Sequence, residues 1–175
     1  KGFLRRALLE HYEQAVADLQ DNRWHEALAV LDRVVARDAT YRDAAALRDQ
    51  AQRMVELADL ESEAQRATVA GRWEDAIRTA LRGRDPKIAP QAVRQGLCSA
   101  YVGLGEQEAT AFARTGDGDR VARSLEAFSK AEGECPASDS GPWRQTFATV
   151  QLYQRGLEAA QNSQWTAAVQ TWNQV

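Results

Sequence analysis

Three tryptophans recur in one local setting, and this recurrence constrains the fold more than any other feature of the chain. Trp24, Trp73 and Trp165 each have a small residue nine positions earlier, at Ala15, Ala64 and Gly156. Each also has an alanine three positions later, at Ala27, Ala76 and Ala168, followed by an aliphatic residue, Leu28, Ile77 or Val169. Residues three and four apart share one face of an α-helix. Small residues on such a face let two helices approach closely, and the Trp closes the end of the hairpin. A repeated helical hairpin is therefore predicted. Repeats of this kind decide the architecture before any local reading does. The composition agrees. Ala, Gln, Glu, Arg and Leu dominate, all good helix formers, and no Val/Ile-rich strand run is present.

A weaker fourth copy lies between the second and third. It runs from Asp117 to Ala137, with Val121 in the Trp slot, Ser124 in the alanine slot and Leu125 in the aliphatic slot. Phe128, Ala131 and Pro136 follow. The stretch Ser124–Pro136 resembles the second half of a tetratricopeptide repeat, and the whole chain resembles that family's helix-turn-helix unit in four copies. The resemblance implies an all-α, TPR-like α-solenoid. The chain departs from the family in its step. The spacings from Trp24 to Trp73, to Val121 and to Trp165 are 49, 48 and 44 residues. The family step is 34, so each unit carries about four extra helical turns.

The extra residues fall in stretches such as Tyr41–Ala70, which no Gly or Pro interrupts. At 1.5 Å per residue, one helix there would be roughly 45 Å long. One apolar stripe, Ala44, Leu47, Ala51, Met54 and Ala58, gives way near residue 57 to another at Leu57, Leu60, Ala64 and Ala67. One continuous helix with a shifting buried face is expected; two helices broken near 57 are the alternative. Caps and breakers place long and short helices in alternation at 3–20, 24–37, 41–70, 73–83, 90–114, 119–133, 142–162 and 165–175. One loop is expected bracketed by Arg84–Pro86 and Ala89–Pro90, and another at Gly133–Pro142. The units become 3–40, 41–89, 90–141 and 142–175 of a single helical repeat domain. The start at Lys1 and the stop inside an amphipathic pattern suggest a fragment of a larger protein.

With 22 Lys+Arg against 25 Asp+Glu, the net charge of −3 argues against a nucleic-acid binder, which needs a basic face. No apolar run approaches the roughly 20 residues of a membrane span. Chemistry-bearing constellations are not found. His11 and His25 sit at different heights of the first hairpin, with no ligand set at metal spacing. Asp117-Gly118-Asp119 opens like a calcium loop, but the ligand positions that follow hold Val121 and Phe128, so it reads as a turn. No catalytic, cofactor-binding or metal-binding residue is expected, and the chain is not expected to be an enzyme.

The two cysteines are the exception. In a hairpin turning at 116–117, Cys98 and Cys135 are each 18 residues from the turn, and so at the same height on antiparallel neighbours. They either form a disulfide or are two buried thiols. A disulfide would favour an extracytoplasmic setting, and free thiols the cytoplasm.

Trp24, Trp73, Trp165, Ala27, Ala76, Ala168 and Phe128 are read as structural anchors of the repeat. Tyr12, Tyr153 and Trp172 are candidate partner contacts, with core packing as the other reading. Trp172 and Val175 face the side where a further helix of a longer protein would lie. The resemblance implies binding of a protein or peptide along a helical surface. One subset of the family clamps a C-terminal carboxylate with Lys and Asn. The matching slots here hold Tyr12 and Val16, Glu61 and Gln65, and Tyr153 and Leu157, so that clamp is absent. The expected function is a non-catalytic protein–protein interaction or scaffold domain. The alternative is a regulatory or sensory region, possibly extracytoplasmic, of a membrane-anchored signalling protein such as a kinase.

Overall fold

The computed structural model describes residues 2–83 and 91–174, and their side chains from residue 6 onward except residue 92. The loop expected at Arg84–Pro86 and Ala89–Pro90 lies outside the described residues. The fold is all-α. Eight helices follow one another among the described residues: α1 (Gly2–Gln20), α2 (Trp24–Arg37), α3 (Ala44–Val69), α4 (Trp73–Arg82), α5 (Gln91–Thr115), α6 (Gly118–Glu134), α7 (Trp143–Gln161) and α8 (Trp165–Trp172). No described residue is in a strand.

The turns explain why the tryptophans recur. Before Trp24, Trp73 and Trp165, the residue at −2 has positive φ: Asn22 at 59°, Gly71 at 67° and Ser163 at 60°. The N–H at −1 reaches back five residues in each case, Arg23 to Asp18 O, Arg72 to Ala67 O and Gln164 to Ala159 O, at 2.8–2.9 Å. The N–H at −2 reaches back three, to Leu19, Thr68 and Ala160. This pair of bonds is the Schellman C-cap, which satisfies carbonyls that the ending helix leaves bare. The next helix then starts at the Trp itself. Its first backbone bonds include those donated by Ala27, Ala76 and Ala168 to the carbonyls at −1. Asn and Gly tolerate the left-handed conformation at little cost. The fourth turn differs: Gly116 has φ 69°, and the Asp117 side chain caps α6 by accepting from Asp119 N at 3.1 Å.

The chain divides into two compact units, Lys1–Leu60 and Glu61–Val175, where the repeat alone gives a single array. The division falls inside α3, next to the place where its apolar stripe changes face. α3 itself runs unbroken from Ala44 to Val69. It starts three residues later than expected because Arg42 has φ 47° and Tyr41 N bonds to Asp38 O, closing a turn.

In the first unit, Ala15, Val30, Leu31, Val34, Ala44 and Ala51 form the buried core, with Leu8, Tyr12, Leu28 and Leu47 packed around it. Its hairpin end is closed by Arg23, whose Nε and Nη2 donate to the buried carboxylate of Asp18.

In the second unit, α5 and α6 form the central hairpin. Phe128 is fully buried on Gly105, where an added Cβ would come within 2.7 Å of its ring. Phe128 lies 6.0 Å from Trp143 and 5.4 Å from Phe147, ring centre to ring centre. Ser124, in the alanine slot of the fourth copy, is fully buried and donates to Gly105 O at 2.9 Å. That bond satisfies a hydroxyl which would otherwise be costly to bury. The buried Glu108 carboxylate accepts from both Arg120 and Arg123 at 3.1 Å, clasping the turn end of the same hairpin.

Candidate functional site

At the other end of the α5–α6 hairpin, the Sγ atoms of Cys98 and Cys135 are joined at 2.06 Å. Both residues are buried. The bridge ties α5 to the residue that ends α6, where the chain enters the 135–142 loop. Asp139 organises that loop. Its carboxylate accepts from Gly141 N at 2.9 Å and from Trp143 Nε1 at 3.1 Å. Its backbone carbonyl accepts from Arg144 Nε at 2.7 Å. The hydrogen bonds from Trp143 and Gly141, with the nearby Arg144 charge, hold the Asp139 carboxyl below its ordinary value. The Arg144 guanidinium lies 4.5 Å from the Trp143 ring centre, a cation–π contact.

The bridge lines an open groove of about 760 Å³. One wall is a face of α5 carrying Gln91, Gln95 and Ser99; the other is the stretch from Glu134 to Asp139. The side chains of Gln91, Gln95, Ser99 and Ser138 are exposed and make no hydrogen bond to a described residue. Arg94 lies on the same wall and is engaged. Its Nη2 donates to Gly133 O, and its Nε lies 3.7 Å from the Glu134 carboxylate. The groove therefore offers neutral donors and acceptors, with Arg94 paired to Glu134 and the Asp139 carboxylate held by Gly141 N and Trp143 Nε1.

Cys98, Cys135 and Asp139 bring their ligand atoms within 4.8 Å of one another. The bridge leaves no thiolate there, and the thiolate is the form that ligates. His25 lies 3.6 Å from Asp59, and both side chains are largely exposed.

The anchors of the repeat occupy unequal environments. Ala27, Ala76 and Ala168 are buried. Trp24 and Trp73 are half-buried, but Trp165 is 65% exposed and its neighbour Val169 is 53% exposed. Trp73 lies on Gly103 of α5, where an added Cβ would sit 2.5–2.6 Å from three ring atoms.

The three candidate contact residues are all half-buried in contacts of their own. Tyr12 donates to Asp43 at 2.6 Å, which raises its pKa, and lies edge-on to Tyr41 and under Arg42. Tyr153 packs 4.7 Å from Phe112. Trp172 lies on Gly156 and donates to Tyr153 O at 3.3 Å. Trp143 is a residue the repeat alignment passes over, because it falls outside the Trp slot. The spacing Asp139–Trp143–Phe147 is the signal that marks it.

No helix among the described residues is long and apolar enough to cross a membrane. The chain matches no protein-family model, no curated protein and no solved structure.

Proposed function

We propose that this chain is a non-catalytic protein-interaction domain, a solenoid of TPR-like hairpins in which long and short helices alternate. In this reading it holds an extended peptide segment of a partner protein in the groove beside the Cys98–Cys135 bridge. The observation that carries the proposal is the row Gln91, Gln95 and Ser99. Spaced four apart, these side chains span about 12 Å along α5. That length matches three to four residues of an extended peptide at about 3.3 Å each. A peptide backbone presents donors and acceptors alternately. Gln amides and Ser hydroxyls offer both, with no charge to desolvate. The facing wall is pinned by the bridge and by the bonds of Asp139, so that wall has little left to order on binding. No cofactor takes part.

The bridge also favours the second reading in one respect. Disulfides persist in oxidising compartments, which suits an extracytoplasmic sensory or regulatory region.

Display of random twelve-residue peptides against the folded 175-residue chain tests the proposal. Ser99→Trp fills the groove from an exposed position and leaves the core untouched. Enriched peptides should lose binding to Ser99→Trp. Peptides that bind both proteins equally, or no enrichment at all, would remove the groove as the site.

A further inference from the structure

The Cys98–Cys135 bridge and the Asp139 carboxylate bring three metal-ligating atoms within 4.8 Å of one another. Two short devices place them there. Cys135 ends α6 in extended backbone, φ −72° and ψ 146°, with its N–H held by Ala131 O. Asp139 N then bonds back to Pro136 O at 2.9 Å, a turn that returns the Asp139 side chain to the sulfurs.

The carboxylate is held as a metal ligand is held. Its two oxygens offer about four acceptor sites. Gly141 N takes one site on Oδ1, and Trp143 Nε1 takes one on Oδ2. No other described residue hydrogen-bonds to it, so each oxygen keeps a site for a ligand. Donors behind a ligating carboxylate fix its orientation, and such outer partners are usual at metal sites.

The spacing suits zinc once the bridge is opened. Zinc lies about 2.3 Å from thiolate sulfur and about 2.0 Å from carboxylate oxygen, so tetrahedral ligand atoms sit about 3.5–3.8 Å apart. The freed sulfurs reach that spacing by side-chain rotation, because Sγ moves by about 3 Å between staggered rotamers. Cα atoms 4.8 Å apart keep both sulfurs within reach of one ion. Two thiolates exclude calcium and magnesium, which take oxygen ligands. A fourth position is left for water from the open groove.

We propose that the reduced chain binds one zinc ion through Cys98, Cys135 and Asp139, and that bridge and metal are alternative states of one site. Cys98 is the half of the bridge that lines the groove. A thiolate of a dithiol reductant attacks Cys98 Sγ there. The S–S bond breaks, and its electron pair leaves with Cys135 Sγ. The second thiol of the reductant then attacks its own sulfur in the mixed disulfide and frees Cys98. The reductant ends as a cyclic disulfide, zinc takes both thiolates, and two protons pass to solvent. Exchange with a disulfide oxidant such as oxidised glutathione runs the other way. It takes up two protons, re-forms the bridge and expels zinc.

The 175-residue chain, reduced with a phosphine and desalted under argon, is titrated with Co2+ and then with Zn2+. Intense tetrahedral ligand-field bands and a thiolate-to-cobalt charge-transfer band are expected, saturating at one ion per chain and bleached by zinc. The unreduced chain and the Cys98→Ser/Cys135→Ser double variant should show neither. Asp139→Asn removes the charge but keeps an acceptor oxygen, and should bind about tenfold more weakly or worse. Zinc should raise the melting temperature of the reduced chain and leave that of the bridged chain unchanged. Where reduction unfolds the chain, zinc should restore its helical circular dichroism.

A reduced chain without a tetrahedral cobalt spectrum overturns the proposal. So does Asp139→Asn binding as tightly as wild type, or saturation at half an ion per chain, the mark of two chains sharing a metal. The metal alone is the probe, so none of these results bears on the peptide groove, whose own test uses Ser99→Trp.

Discussion

Two glycines of one helix should respond oppositely to the same substitution. Gly96 and Gly103 both lie in α5. In a helix interior, Gly→Ala gains about 1 kcal/mol from lost chain freedom in the unfolded state. At Gly96 an added Cβ meets nothing within 4 Å. Gly96→Ala should therefore stabilise by about 1 kcal/mol. At Gly103 the same Cβ would lie 2.5–2.6 Å from three atoms of the Trp73 ring. Carbon atoms settle at about 3.5–4.0 Å, so the indole or the helix must move by about 1 Å. Overpacking of this order costs about 1–3 kcal/mol, which cancels or exceeds the intrinsic gain. The two variants should thus differ by about 1–3 kcal/mol, with Gly103→Ala the less stable.

Urea unfolding at 25 °C, followed by fluorescence and far-ultraviolet circular dichroism, measures this difference where the two probes coincide. The same pair in a Trp73→Leu background closes a double-mutant cycle, and the difference should shrink once the indole is gone. If Gly103→Ala stabilises as much as Gly96→Ala with Trp73 in place, the packing of the repeat's Trp on the following helix is wrong.

Three further outcomes follow from the same structure. Trp73→Ala should cost about 2–3 kcal/mol, below the ~3–5 of a fully buried Trp, whereas Trp165→Ala should change stability by no more than about 0.5 kcal/mol; thermal melts of the two variants compare them directly. Replacing Cys98 and Cys135 by Ser opens a loop whose ends are 37 residues apart. Loop-closure entropy puts the loss at about 4 kcal/mol, to be read from urea midpoints with and without a dithiol reductant. Wild type should lose stability in reductant, and the double variant should not respond. Asp139 contributes stability that is present above the unfolded carboxyl value of ~3.9 and lost as pH falls through its lowered folded value. Asp139→Asn should therefore lower the melting temperature near neutrality and flatten its fall below about pH 4. Parallel acid limbs for the two proteins would contradict the bonds from Trp143 and Gly141.

The helices were legible in the sequence because each hairpin spends several residues on one geometric task. A left-handed residue, a Trp and an alanine on the next turn must follow in fixed order, and the order survives where the side chains around it change. The start of α3 was less legible. Nothing in Tyr41-Arg42-Asp43 announces a positive φ at an arginine, and the Tyr12–Asp43 and Arg42–Tyr12 contacts that accompany it link residues about thirty apart. The division of the chain inside α3 was visible as a change of apolar face, but a periodic pattern does not say that two compact units result. The heights of Cys98 and Cys135 came from counting along two helices of equal rise. The groove beside them could not come that way. Its second wall is an irregular loop whose shape depends on Asp139 accepting from Trp143, a bond no repeat encodes.

The most direct test of the interaction reading is a map of where a bound peptide touches. Amide shifts of the isotope-labelled 175-residue protein would be followed during titration with a peptide selected by display. Saturable shifts are expected at Gln91, Gln95, Ser99 and Ser138, with the side-chain amides of both glutamines among the largest. Saturable binding that leaves those four residues unmoved would contradict the placement of the peptide site in the groove.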